Sequence, residues 1–111
     1  MRRQGKQPGI IEGIWPPILL VLVGVPMALE LIAPNSFYGV RTSGTLESLD
    51  VWYRANFFAG MAAVVCGGAA ILINLAIIRS TTIREDQKWW LTLGTFLLAA
   101  GAAVGAGLLA G

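Results

Sequence analysis

Three long apolar stretches alternate with short polar ones along this chain. The apolar stretches cover residues 14–33, 56–78 and 89–109, and each contains at least 20 residues. A helix rises about 1.5 Å per residue, so about 20 residues cross the roughly 30 Å hydrocarbon core of a bilayer. The pattern predicts an all-α integral membrane protein, folded as one membrane domain with three transmembrane helices.

The composition supports this class of protein. Hydrophobic residues make up 56% of the chain and charged residues 13%, whereas a soluble domain carries about 25% charged residues. The sequence has no histidine, and its one cysteine, Cys66, lies in an apolar stretch, so an internal disulfide is excluded. We expect no metal and no cofactor. We also expect no nucleic-acid partner, because the basic residues flank the apolar stretches.

Prolines shape the first predicted span. Pro16 and Pro17 fall in its first turn, where a missing N–H costs little, and Pro26 should kink the helix. The stretch 14–33 is longer than the apolar core of a signal peptide, which has about 7–15 residues. Pro34 directly after it is a poor cleavage context. We therefore expect the stretch to be retained as a transmembrane helix.

Small residues predict how the helices pack. Along the second span, small and polar residues recur in steps of three and four and share one helix face: Asn56, Gly60, Ala63, Gly67, Ala70 and Asn74. Small residues let helices approach closely in lipid, and Asn74 is expected to hydrogen-bond to a neighbouring helix. In the third span, Gly101 and Gly105 form a G-x-x-x-G motif, which also favours a helix contact.

Basic residues predict the orientation in the membrane. The amino-terminal segment carries Arg2, Arg3 and Lys6, the 79–88 segment carries Arg79, Arg84 and Lys88, and the passage 34–55 carries Arg41 and Arg54. Three spans place the first two segments on one side, which gives six basic residues against two. By the positive-inside rule, the amino terminus is cytoplasmic, and the passage 34–55 and the carboxyl terminus are extracytoplasmic.

The passage 34–55 is the longest polar stretch, and we predict it to be a structured loop. Tyr38-Gly39 indicates a turn, and Thr45 or Ser48 can cap a short helix that leads into Trp52. Its aromatic and hydroxyl side chains are too dense for a simple linker.

Arg41 and Glu30 can each be interpreted as structural or as functional residues. Glu30 falls inside the predicted first span, where an ionisable residue suggests function by default. Arg41 can pair with Glu30 or Asp50 and hold the loop to the bundle, or it can form part of a recognition surface for an extracytoplasmic ligand. No enzyme is predicted. The loop hydroxyls have no evident base beside them, and the Glu47/Asp50 spacing is common on solvated helices.

The passage resembles a known family over a specific set of residues: Pro34-Asn35, Tyr38-Gly39-Val40-Arg41-Thr42, Thr45-Leu46, Ser48, Trp52, Ala55-Asn56 and Gly60. With these residues the chain is similar to the SdpI/YfhL family of small bacterial membrane proteins, as a short form without the additional amino-terminal membrane region of longer relatives. The resemblance implies a multi-pass protein of the bacterial cytoplasmic (inner) membrane and a role in immunity to a secreted peptide toxin.

Three functional hypotheses follow. In the first, the loop recognises a membrane-active peptide toxin, and the recognition residues are Asn35, Tyr38, Gly39, Arg41, Thr42, Thr45, Trp52 and Asn56. In the second, the protein is an accessory subunit whose small-residue helix faces pack into a larger membrane complex. A homo-oligomer is a separate possibility. In the third, which ranks last, it is a transporter or membrane enzyme built on Glu30, Arg41 and the Glu47/Asp50 pair.

Overall fold

The computed structural model describes residues 9–35 and 38–111. The regular secondary structure in these residues is entirely helical. Four helices are present: α1 (Ile10–Ala28), α2 (Ser43–Glu47), α3 (Leu49–Arg79) and α4 (Glu85–Ala110). The three long helices are apolar enough to cross a membrane, with mean hydropathies of 1.9, 2.4 and 1.9 over their most apolar 18 residues. The prediction of three transmembrane helices is confirmed. Arg2, Arg3 and Lys6 lie outside the described residues, so the orientation still rests on the sequence.

Helix α1 starts and ends earlier than the predicted span 14–33. It stops at Ala28 because Glu30 adopts the left-handed conformation, with φ of 59°. The Glu30 N–H donates to Met27 O at 3.2 Å, and the Leu31 N–H donates to Pro26 O at 2.9 Å. These two bonds form a Schellman motif, which normally has glycine at the left-handed position. Glu30 therefore lies exposed beyond the end of the helix rather than within it.

Helix α3 is longer than the predicted span 56–78. It has 31 residues and so extends about 46 Å, well beyond the roughly 30 Å of a hydrocarbon core. Ser48 caps it, since its Oγ accepts a hydrogen bond from the Val51 N–H at 3.4 Å. The short helix α2 precedes it and is capped by a reciprocal pair, Thr42 and Thr45. The loop thus has the extra first turns of α3 to pack against.

Helix α3 is the central element, because α1 and α4 both pack along it and contact each other little. Glycine makes the α1–α3 contact possible. A Cβ on Gly60 would lie 2.6 Å from Gly24 O and would collide with Ala28 N, and a Cβ on Gly67 would lie 2.8 Å from a methyl group of Val21. The predicted small-residue face of α3 is therefore buried, with Ala63 and Ala70 in the same stripe.

The glycines of α4 divide into two groups. A Cβ on Gly107 would lie 2.9 Å from the Cβ of Ala59, so Gly107 permits a close α3–α4 approach. A Cβ on Gly101 or Gly105 would meet nothing within 4 Å. The G-x-x-x-G motif therefore takes no part in the packing of the described chain and faces away from the bundle.

Buried polar residues hydrogen-bond the long helices to one another at the end of the bundle where α1 and α4 begin. Asn74 is fully buried, and its Nδ2 donates to Gly13 O on α1 at 2.7 Å and to Thr92 O on α4 at 3.4 Å. The predicted hydrogen bond from Asn74 to a neighbouring helix is confirmed. Lys88 is also buried, and its Nζ donates to Ile78 O and Ser80 O at 2.8 Å each, which caps the carboxyl end of α3.

Candidate functional site

The loop between α1 and α3 forms a packed surface on one end of the bundle. We call residues 29–48, apart from 36 and 37, the loop cap. Hydrogen bonds from two buried side chains of α3 and from one tyrosine attach it to the helices. These attachments decide which loop groups are fixed and which are presented at the surface.

Trp52 supplies the first attachment. Its side chain is fully buried, and Nε1 donates to Ile32 O at 2.7 Å. A buried indole N–H needs such a partner, and here the partner is a backbone group just after the end of α1. The chain leaving α1 is thereby held against the first turn of α3.

Asn56 supplies the second attachment. It is 2% exposed, its Oδ1 accepts from the Val40 N–H at 2.6 Å, and its Nδ2 donates to Trp52 O at 2.8 Å. A carboxamide offers a donor and an acceptor on two separate atoms, and Asn56 uses both. Gly39 lies directly over it with φ of 102°, and a Cβ there would collide with Asn56 Oδ1. Glycine is therefore required at this position for two separate reasons.

Tyr38 supplies the third attachment, on α1. Its hydroxyl donates to Val23 O, one turn before Pro26, and its N–H donates to Asn35 Oδ1 at 2.6 Å. Partial burial raises the pKa of the Tyr38 phenol, so it remains a hydrogen-bond donor at neutral pH. Tyr38 and Asn56 therefore attach neighbouring parts of the loop to two different helices.

Arg41 is exposed and is held by the loop backbone. Its Nε donates to Asn35 O at 2.7 Å. It makes no ion pair with Glu30 or Asp50, and the ion pair found among the described residues, Arg84–Asp86 at 2.7 Å, lies at the opposite end of the bundle. The two Nη groups of Arg41 bond to no described residue. They remain available, in a fixed position, for an anionic group.

The predicted recognition residues fall into two groups. Thr45, Trp52 and Asn56 are buried, with exposures of 1%, 0% and 2%, so they support the surface from beneath. Asn35, Tyr38, Gly39, Arg41 and Thr42 reach the surface to different degrees. Sequence reasoning did not give a site role to Arg54, which is also exposed and whose Nε donates to Ala110 O at 2.9 Å. No sequence pattern links Arg54 to the far end of α4.

An apolar groove lies beside the loop cap and is lined by residues of α1, α3 and α4. Its volume is 250 Å³, its sides include Met27 on α1 and Val104 on α4, and Gly39 and Val40 close its end. Ala63 of α3 forms part of its floor. Within the described residues, no group of three His, Cys, Asp or Glu side chains could hold a metal ion. Arg41 directly follows Val40 in the chain, so this end of the bundle carries both an exposed guanidinium and an apolar groove.

These features are those of a small helical membrane protein in which a hydrogen-bonded loop covers one end of a three-helix bundle. The sequence model of the SdpI/YfhL protein family matches residues 31–107, which is more than half of the chain. The match spans most of the loop cap, all of α2 and α3, and most of α4. This chain therefore belongs to the SdpI/YfhL family. No curated protein and no solved structure matches it.

Proposed function

We propose that this protein gives a bacterium immunity to a secreted, membrane-active peptide, and that the loop cap is the surface that meets the peptide. The observation that carries the proposal is Arg41. It is exposed, fixed through Nε to Asn35 O at 2.7 Å, and not paired with a carboxylate of the described chain. A guanidinium in this state binds a carboxylate through two parallel hydrogen bonds.

The rigidity of the loop cap supports this proposal. Trp52, Asn56 and Tyr38 fix the loop before any ligand arrives, so binding costs little ordering of the surface. The apolar groove of 250 Å³ beside Gly39 and Val40 offers space for an apolar side chain of the peptide. The peptide class that fits is amphipathic, with a carboxylate near an apolar segment.

The predicted orientation also supports it. Six basic residues against two predict that the loop cap lies on the extracytoplasmic side, from which a secreted peptide approaches. The test is to delete the gene in its host and to measure growth inhibition by peptides that sibling cells secrete. The proposal expects greater sensitivity, restored by the wild-type gene. Unchanged sensitivity would reject it.

A second candidate function is supported by a separate observation, the unpacked glycines of α4. A Cβ on Gly94, Gly101 or Gly105 would meet nothing within 4 Å, so this face of α4 can accept another helix at close range. An accessory subunit of a larger membrane complex would use it. Extraction in a mild detergent followed by mass spectrometry tests this, and a lone protomer or homo-oligomer would count against it.

Catalysis is not proposed. The hydroxyls of Thr42, Thr45 and Ser48 are used in helix capping. No general base stands among them, and the nearby carboxylates Glu47 and Asp50 are exposed.

A further inference from the structure

A second groove lies at the other end of the bundle, where α1 and α4 both begin. Its volume is 380 Å³, and it is lined on the α1 side by Glu12 and Trp15 and on the α4 side by Trp89, Trp90, Leu93 and Phe96. It shares no residue with the loop cap. Nothing in the proposed immunity function uses it.

The groove combines three kinds of chemistry. Trp15 and Trp90 line it while remaining 54% and 74% exposed, and the faces of indole rings attract cations. Glu12 adds a carboxylate that makes no hydrogen bond or ion pair with a described residue. Leu93 and Phe96 make the rest of the lining apolar. A ligand that satisfies all three has a cationic head and a hydrocarbon body.

The depth of the groove narrows the choice of ligand. Glu12 lies in the first turn of α1, and Trp89 and Trp90 lie in the first two turns of α4, so the groove opens at the level of the lipid headgroups. We infer that it binds the ammonium headgroup of phosphatidylethanolamine, with the ammonium at Glu12 and the tryptophans and an acyl chain along the apolar lining. Both lipids carry a phosphate, but phosphatidylglycerol has no ammonium to offset the repulsion between that phosphate and the Glu12 carboxylate.

An aromatic belt alone makes a different prediction. Interfacial tryptophans anchor helices at the membrane surface whatever the headgroup is, and they need no carboxylate. A belt therefore shows no preference for phosphatidylethanolamine over phosphatidylglycerol. The preference between these two lipids separates the interpretations.

The test is native mass spectrometry of the purified full-length protein in detergent that contains equal amounts of the two lipids. The wild type is expected to retain phosphatidylethanolamine about two- to fivefold more than phosphatidylglycerol, the range that one exposed cation–π contact supplies. The preference should fall in Glu12→Gln, which keeps the indole rings, and it should fall in the double variant Trp15→Leu with Trp90→Leu, which keeps the carboxylate. Glu47→Gln, an exposed carboxylate at the opposite end, is the matched control and should keep it.

A second measurement uses only the wild-type protein and changes the lipid, so it does not depend on whether a variant folds. N-acetyl phosphatidylethanolamine has no charge on its nitrogen, so the wild type should lose its preference when this lipid replaces the parent one. Equal retention of the two original lipids by the wild type would overturn the inference. So would an undiminished preference in a folded Glu12→Gln protein, or undiminished retention of the N-acetyl lipid.

Discussion

Asn56→Ala tests the physical account of the loop cap. The carboxamide joins the Val40 N–H at 2.6 Å to Trp52 O at 2.8 Å, and it is 2% exposed. Removing it leaves the part-buried Val40 N–H without its acceptor, which costs about 1–3 kcal/mol, and it removes the second hydrogen bond, worth about 1 kcal/mol. We expect the loop to lose about 2–4 kcal/mol of stability against local opening.

Hydrogen–deuterium exchange of the protein in lipid nanodiscs measures this opening directly. A loss of 2 kcal/mol raises the population of the open state by about thirtyfold, so the amides of residues 38–42 should exchange faster by at least that factor. Trp52→Phe removes the Nε1 bond to Ile32 O and part of a fully buried ring, so it should also raise loop exchange, by at least about fivefold. The middle of α3 should exchange as slowly as in the wild type in both variants.

Gln87→Ala is the control, since it removes an exposed amide at the other end of the bundle. Loop exchange in this variant should equal that of the wild type. If Asn56→Ala also exchanged at the wild-type rate, the loop would not depend on its hydrogen bonds to α3, and the argument for a pre-formed surface would be wrong.

Three further predictions concern the helices, each measured as the change in unfolding free energy in detergent. Gly60→Ala should destabilise by about 1–3 kcal/mol, because its Cβ would overlap the backbone of α1, whereas Gly68→Ala should be neutral or slightly stabilising, since nothing lies within 4 Å. Glu30→Gly should stabilise by about 0.5–1 kcal/mol, because glycine adopts a φ of 59° without strain, and Glu30→Ala should not. Lys88→Met should destabilise by about 2–4 kcal/mol through the loss of two charged hydrogen bonds to the end of α3, and the exposed Arg79→Met should change stability far less.

Each of these pairs has its own contradicting result. Equal effects of alanine at positions 60 and 68 would mean that α1 and α3 do not touch through glycine. A Glu30→Gly protein no more stable than Glu30→Ala would argue against the Schellman motif. Equal stability of the Lys88 and Arg79 variants would show that the Nζ cap contributes nothing.

The hydrophobic pattern was sufficient to predict the three spans, and the periodicity of small residues was sufficient to predict the packed face of α3. Helix ends were harder to predict. The end of α1 depends on Glu30 in a left-handed conformation that usually belongs to glycine, and no propensity indicates glutamate there. The predicted start of α3, at residue 56, comes too late in the chain because Asp50 and Arg54 interrupt the apolar run. The helix in fact begins at Leu49, is capped by Ser48 and extends beyond the bilayer.

The contacts of the loop cap could not be predicted from local pattern. Val40 and Asn56 are 16 residues apart, and no helical or strand periodicity connects a loop amide to a helix side chain. The family resemblance marked these residues together without showing that some lie beneath the surface and others on it. Lys88 was counted as an orientation charge, whereas its Nζ is buried and caps α3.

Arg41→Gln tests the central claim most directly, in the deletion strain that carries the altered gene and is challenged with peptides secreted by sibling cells. Arg41 is exposed, so the variant should fold and accumulate like the wild type but should fail to protect the cells. Arg84→Gln, an exposed arginine at the opposite end, should protect fully. Full protection by Arg41→Gln at normal protein levels would contradict the claim that the guanidinium on the loop cap meets the peptide.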